Sequence, residues 1–421
     1  MRFIADLHIH SRYSRATSKD MSPEGIWRAA RQKGISVIGT GDFTHPGWIA
    51  ELREKTEPAD NGLFRLKEAG HVALPASCRG ETFFLLSAEI SCIYRKNGRT
   101  RKVHCLLFVP GLPEAERVAS ALSKIGNLSS DGRPILGLDA KDLLSILLDT
   151  SPSGMLVPAH AWTPHFSVFG AASGFDSIEE CFEDLTSHIH AIETGLSSDP
   201  PMNRRLSRLD PFRLISNSDA HSPSKIGREA NIFDTEISFP AIMQSIKGTG
   251  LAGTIEFFPE EGKYHYDGHR ACDICLPPEE TITRNGLCPV CGKKMTIGVM
   301  HRVEELADRP EGFMPDDMPP FHSLIPLVEI IAETRKAGVN TKAVKKDYLA
   351  LIDTLGSEFA ILIDLPADEI ARAGFPVVAE AIGRMRAGDV SVSPGYDGEY
   401  GKISLFGPKK ERPAKGQRLL F

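Results

Sequence analysis

Short apolar runs alternate with amphipathic stretches over residues 1–258. Arg2–Ala5, Ser36–Thr40, Phe83–Leu86, Met155–Val157, Ile189–Thr194 and Arg213–Ser216 are strand-like. Helical patterning falls between them. Ser22-Pro23-Glu24-Gly25 marks one helix start, with serine as the cap and proline in the first turn. Strands alternating with helices over about 250 residues predict a parallel sheet with crossover helices, and a barrel is its economical closure. A composition shift at Phe258-Pro259-Glu260-Glu261-Gly262 opens a second unit, 259–305. A third, 306–392, is expected to be mostly helical, with Leu324, Leu327, Val328 and Ile331 at helical spacing. Residues 393–421, rich in Gly, Pro and Lys, predict a flexible tail.

One stretch departs from the strand–helix rhythm. Asn97-Gly98 lies between two long strand-like runs and is a strong signal for a two-residue hairpin turn. With that turn, His104 pairs with Ser91 and Glu89 with Leu106, so Glu89 and His104 become diagonal neighbours about 7–8 Å apart on one face. The tip carries Arg95, Lys96, Arg99, Arg101 and Lys102, a basic finger suited to a phosphate backbone.

Composition narrows the class without naming a partner. The 421 residues are 41% hydrophobic and 25% charged, as in a globular chain of two or three domains. The net charge of −6 neither marks nor excludes nucleic acid, so polyanion contact must come from local basic patches. No apolar run approaches the ~20 residues of a membrane span. The chain opens on a strand-like run, not a secretory leader, which predicts a cytoplasmic protein whose clustered cysteines mean metal.

The candidate chemistry lies at strand ends. His8 and His10 are two residues apart, which on an extended chain turns both rings to one face. Asp219 and His221 repeat the spacing with an oxygen donor. Asp42, His45, Glu89, His104 and His160 complete the candidate metal ligands. Histidine with carboxylate is a donor set for divalent ions, and such residues at the ends of apolar strands predict a metal-dependent hydrolase. Glu193 is a candidate general base or partner to a ligand, Asp199 a weaker one, and Asp219 serves as both ligand and catalytic candidate. Cys272, Cys275, Cys288 and Cys291 form C-x2-C-x12-C-x2-C, the spacing of a closed, structural four-cysteine zinc site.

Five motifs, in order, carry a family resemblance: Asp6-Leu7-His8-Ile9-His10-Ser11, Gly41-Asp42-Phe43, Ala88-Glu89-Ile90, Pro158-Ala159-His160 and Ser218-Asp219-Ala220-His221. They resemble the polymerase-and-histidinol-phosphatase (PHP) domain. That resemblance implies a distorted (β/α)7 barrel with two or three divalent metals (Zn, Mn or Mg) that hydrolyses phosphate esters. Phe43 stands where many members have histidine, with His45 nearby, and Arg15 where many have a ligand; the third metal position is left open. The terminal Gln417-Arg418-Leu419-Leu420-Phe421 resembles a sliding-clamp-binding peptide, with Gln417, Leu420 and Phe421 as its anchors. Barrel, zinc module, helical region and tail together resemble the endonuclease Q family. This implies a DNA repair endonuclease cutting 5′ to deaminated bases (uracil, hypoxanthine, xanthine) and abasic sites, leaving a 3′-hydroxyl, with Trp162 a candidate for lining the pocket of a flipped base. The alternatives are a PHP phosphatase on a small phosphomonoester and a non-catalytic PHP module that binds DNA or a helicase.

Overall fold

The computed structural model describes residues 1–407, apart from Arg79 and Asp317. The tail residues Gln417, Leu420 and Phe421 lie outside the described residues.

The expected helix start is built as the local sequence dictates. The Ser22 hydroxyl accepts the Gly25 N–H, Pro23 opens α1 (Pro23–Lys33), and Gly34 ends it at φ +89, a conformation open to glycine. Ile26, Trp27, Ala29 and Ala30 form its buried face. The barrel strands follow in chain order: β1 (Arg2–Asp6), β2 (Val37–Gly39), β3 (Phe83–Lys96), β4 (Arg99–Val109), β5 (Met155–Pro158), β6 (Ala191–Glu193), β7 (Arg213–Ile215), β8 (Ala230–Asp234) and β9 (Leu251–Glu256). β1, β2 and β3 are parallel neighbours, as are β6 and β7. β4 is inserted antiparallel between β3 and β5. β8 runs antiparallel to both β1 and β9.

Main-chain pairing alone does not close the ring. Ala161 N–H bonds to the Glu193 carbonyl at the β5–β6 junction. At the β7 side the seam is made by asparagines. Asn231 accepts Ser216 N–H at 3.0 Å and donates to its carbonyl at 2.7 Å, while Asn217 accepts Leu7 N–H at 2.7 Å. Beyond the strand ends, His10 N–H reaches the Ala220 carbonyl at 2.9 Å. The result is a distorted barrel with an apolar filling from alternate strand positions: Ala5, Leu7, Val37, Leu85, Leu106, Phe108, Val157, Ala191 and Ile215. Further along the same faces the inward residues become polar: Leu85 is followed by Ser87 and Glu89, Leu106 is preceded by His104, Ala191 by two leads to Glu193, and Ile215 by two to Asn217. That change of polarity at one end builds the site.

The C-terminal region adds a strand, Phe321–Ser323, parallel to β9, and the helices Leu327–Arg335, Lys342–Leu355, Ala367–Arg372 and Pro376–Arg386. Lys33 of α1 meets Glu358 at 2.8 Å, both side chains buried, tying these helices to the barrel. Among the described residues, the Gly- and Pro-rich stretch is ordered where its composition predicts a tail. Ser391–Ser393 pairs with Lys402–Ser404, and Glu333 accepts from Ser404 Oγ and from the N–H groups of Leu405 and Phe406. Among the described residues no helix is long and apolar enough to cross a membrane.

Candidate metal centre

The hairpin has the predicted register: Ser91 faces His104 and Glu89 faces Leu106. Asn97 and Gly98 have φ of +53 and +75, the paired positive values of the expected turn. The β3–β4 pair thereby carries Glu89 and His104 into the polar end of the barrel.

Two donor sets meet there and share Glu89. In the first, His10 Nε2 lies 3.0 Å from Asp219 Oδ1 and 3.2 Å from Glu89 Oε2, and His8 Nε2 lies 3.6 Å from each of the same oxygens. In the second, Glu89 Oε1 lies 2.7 Å from His104 Nδ1 and 3.0 Å from His160 Nε2. His8 Nε2, His10 Nε2 and Asp219 Oδ1 are buried without a hydrogen-bond partner. Buried polar atoms are ordinarily paired, so orphans converging on one point are what a divalent cation would satisfy. The residues fit the metals that the PHP resemblance implies. Asp219 and His160 have φ of +47 and +30, left-handed conformations of the kind that gather at functional sites.

In the first set, the opposite edge of each imidazole is held by a carboxylate. Glu193 takes His8 Nδ1 at 3.1 Å and accepts the His160 N–H at 2.8 Å and Asn217 Nδ2 at 2.9 Å. Asp42 Oδ1 lies 3.2 Å from His10 Nδ1, while its Oδ2 accepts Ser11 N–H, Ser11 Oγ and Ser14 Oγ at 2.7, 2.6 and 2.9 Å. Such partners fix ring orientation and raise ligand basicity. Burial disfavours charge on His8, yet Glu193, Glu89 and Asp219 together raise its pKa well above the ordinary value. Burial pushes His104 down to about 4, so its ring is neutral, the form that binds metal.

Several predicted roles change. Asp42 is not in either donor set: its oxygens are taken up in orienting His10. His45 caps α2 (Pro46–Lys55), its Nδ1 accepting Gly47 and Trp48 N–H. His221 packs on His10 with ring centres 4.4 Å apart and turns Nδ1 to the Asp219 carbonyl, outside both sets. Among the described residues the barrel thus shows no third donor set. Glu193 is fully buried behind His8, which makes it the partner of a ligand and removes it from reach of a substrate. Asp199 caps the helix Pro200–Arg204 by accepting Met202 N–H. Trp162 is 1% exposed, packs tilted against Phe169 and donates Nε1–H to Asn203 Oδ1 at 2.8 Å; it is core, not pocket.

The basic finger is also divided. Arg95 and Arg99 are exposed at the tip. Lys96 is held by Glu183 at 2.7 Å and Asp139 at 3.4 Å, and Arg101 is buried over the Phe175 ring and donates to the Gly174 carbonyl. Lys102 lies 5.2 Å from the Phe166 ring centre. The pattern of charges missed Arg133, whose Nη1 donates to Glu89 Oε2 at 3.0 Å. Its loop is pressed against the site: a Cβ on Gly132 would come within 2.3 Å of Asp42 Oδ2. Asp131-Gly132-Arg133 carries no signal beyond that glycine.

The cysteine cluster differs by one ligand. His269, Cys272, Cys288 and Cys291 converge, with His269 Nδ1 3.7 Å from Cys291 Sγ. Cys275 is outside the set. In the hairpin of Asp267–His269 with Ile274–Leu276 it pairs with Gly268, on the face covered by Tyr396, and its Sγ lies 4.0 Å from the Pro394 carbonyl. Three thiols and an imidazole still make a closed donor set suited to structural zinc.

Behind the barrel, Glu256 of β9 accepts from Thr194 Oγ1 and Ser216 Oγ at 3.0 and 3.1 Å. Burial lifts its pKa to about 8, against the pull of those hydroxyls. A folded-state value above the unfolded one, about 4.3, favours folding with the carboxyl protonated. That stability is full below the unfolded pKa and is lost as pH rises through about 8. Glu256→Gln should therefore raise the melting temperature relative to the native chain by a margin that grows from pH 5 to pH 9. A constant margin in thermal melts would assign the titration elsewhere.

Residues 326–389 match the family described as the MJ0043 C-terminal domain. The chain is 36% identical over 259 residues to the uncharacterized protein MJ0043 of Methanocaldococcus jannaschii, a match covering 60% of this chain and 32% of that protein; it spans about a third of that relative's length. It is 31% identical over 418 residues to the uncharacterized protein YqxK of Bacillus subtilis, covering 96% and 99% of the two chains. Its structure is similar to that of the lesion-specific endonuclease PfuEndoQ from Pyrococcus furiosus: 32% identity, 97% and 98% coverage, TM-score 0.84. A structure of endonuclease Q with a 27-mer duplex bearing an abasic lesion at the active site matches at 33% identity, 98% and 99% coverage and a TM-score of 0.82. With more than 30% identity and a shared fold over nearly the full length of both chains, this chain belongs to the endonuclease Q family.

Proposed function

We propose that this chain is a metal-dependent DNA repair endonuclease that cuts 5′ to deaminated bases (uracil, hypoxanthine, xanthine) and abasic sites. The observation that carries the reading is the pair of donor sets sharing Glu89, with His8 Nε2, His10 Nε2 and Asp219 Oδ1 buried and unpaired. The family supplies the substrate class, since its solved members include a lesion-specific endonuclease and a complex with abasic DNA. Divalent cations bound there would supply Lewis acidity toward phosphate oxygens and acidify water. The chain's own residues do the rest. Glu193 and Asp42 hold the rings of His8 and His10 with Nε2 turned inward. Arg133, anchored on Glu89, sets a fixed positive charge beside the place where phosphate charge grows. Water adds to phosphorus and the P–O3′ bond breaks; the departing oxygen takes a proton. The upstream strand ends in a 3′-hydroxyl and the lesion keeps the 5′-phosphate. Arg95 and Arg99 at the exposed hairpin tip suit contact with flanking phosphates.

The test is cleavage of a uracil-containing duplex by the full chain supplied with manganese, zinc or magnesium. A single nick 5′ to uracil is expected. An uncut duplex together with rapid turnover of a generic phosphomonoester would replace this reading with a phosphatase. The sliding clamp is a second proposed partner, on the sequence of the tail alone. Deleting residues 417–421 should abolish co-elution with the clamp while short duplexes are still cut, and retained co-elution would remove the tail from that role.

A further inference from the structure

The two donor sets are backed differently. Behind the rings of His8 and His10 stand two fully buried carboxylates, Glu193 and Asp42. In the second set, His160 turns Nδ1 to a hydroxyl, Thr163 Oγ1, at 3.1 Å. Thr163 belongs to the loop 161–176 that follows the ligand. The same loop also holds the main chain of His104, whose N–H is bonded to the Phe166 carbonyl at 3.1 Å. The second set is therefore only as well aimed as this loop is placed.

A strong hold on the loop comes from outside the barrel. Arg302 reaches across from the helix Val299–Leu306. It donates Nε–H to the Phe169 carbonyl at 3.1 Å, and Nη2–H to the Phe175 carbonyl at 3.2 Å and to Asp176 Oδ1. Phe169 N–H is bonded in turn to the carbonyl of Ala161, the neighbour of His160, at 2.9 Å. The helix that carries Arg302 is built onto the cysteine module. Asp267, fully buried, accepts the Gly298 N–H at 2.7 Å at the helix start and holds His301 Nδ1 at 2.6 Å. Asp267 lies two residues before His269, a donor of the cysteine cluster. One line of covalent and hydrogen bonds thus runs from that cluster to the ring of His160.

On the metal-dependent reading given above, we propose that Arg302 is a positioning residue for the second donor set. It clamps the loop that aims His160, so the cysteine module sets how tightly that set holds its metal. Removing the partner of a metal ligand weakens metal binding by roughly 10- to 100-fold. Arg302 acts one step behind such a partner, which places its effect at the low end of that range.

Manganese binding to the full chain, followed by the paramagnetic resonance of the free ion, tests this without reference to cleavage. Asp219→Asn leaves the second set to be titrated alone, and His104→Ala leaves the first. Arg302→Met keeps the apolar stem and loses the three bonds. It should weaken manganese about tenfold in the Asp219→Asn background and less than about twofold in the His104→Ala background. Arg302→Lys, whose Nζ can serve both acceptors of Nη2, should recover most of the loss. Glu304→Gln removes a different tie of the same helix to the barrel, to Arg205 at 2.6 Å, and should weaken neither set. An unchanged second set in the methionine variant overturns the proposal. Equal weakening of both sets, or weakening of the second by Glu304→Gln, also overturns it, because either marks a general loosening of the module. If the native chain takes up no manganese, the metal-dependent reading itself fails, an outcome distinct from these.

Discussion

Replacing Glu89 with glutamine should lower single-turnover cleavage by about a thousandfold or more, because several kcal/mol of charge stabilisation depend on the ions it holds. Its two oxygens serve different donor sets: Oε2 faces His8 and His10, and Oε1 faces His104 and His160. Glutamine preserves the shape but removes the charge that both sets share, so metal analysis should show both positions depleted. Asp219→Asn touches only the first set and should deplete one position while leaving the other. Arg133 makes the contrast sharper: once Glu89 is neutral, its guanidinium loses the carboxylate it bonds to and repels cations more strongly. Glu89→Gln protein that retains both metals would rule out a shared carboxylate.

The largest expected effect on stability lies far from the metals. Glu358 is 2% exposed and accepts from Lys33 Nζ at 2.8 Å, Tyr348 Oη at 2.9 Å and Leu327 N–H at 3.0 Å. Glu358→Ala strands a buried ammonium, a phenol and a helix-end N–H together, and should cost about 3–5 kcal/mol. Replacing both charges by apolar residues of similar size, as in Lys33→Met with Glu358→Leu, should recover the part of that loss due to the stranded ammonium, because desolvation of the pair largely offsets its attraction, while the Tyr348 phenol and Leu327 N–H stay unpaired. Denaturant titration of the three proteins checks this. A single-variant loss under about 1 kcal/mol would reduce the pair to an ordinary surface contact.

Local chemistry made the hairpin and the strand-end ligands legible. Asn97-Gly98 fixes a turn, the turn fixes the register, and the register puts Glu89 and His104 on one face without further information. The H-x-H pair was legible as donors and Glu193 as a candidate partner to a ligand, but which carboxylate holds which ring was not. β1 ends at Asp6, and the rings are aimed past it by Asn217 on the backbone and by Glu193 and Asp42 on Nδ1, from distant positions in the chain. His45 misled because a histidine can cap a helix through a ring nitrogen, and His45-Pro46 reads equally as a ligand or as a helix start. Lys96 and Arg101 read as free cations because their partners lie far along the chain, at Asp139, Glu183 and Gly174. The cysteine spacing identified a zinc-like cluster, yet the pairing of Gly268 with Cys275, which spacing does not encode, exchanged one thiol for His269.

The asparagine seam has a consequence for how the protein comes into being. His8 and His10 are made almost first, but Asp219, the residue that completes their set, lies beyond β7, and Asn217 and Asn231 must both be in place before that end of the barrel shuts. A nascent chain still short of residue 219 carries the second donor set and three of the first set's four donors, but lacks the Asp219 that completes it. Synthesis therefore delivers the cutting centre late, as a property of the closed ring and not of any segment. A fragment ending at residue 210 should hold no metal in that set even where its early strands pair.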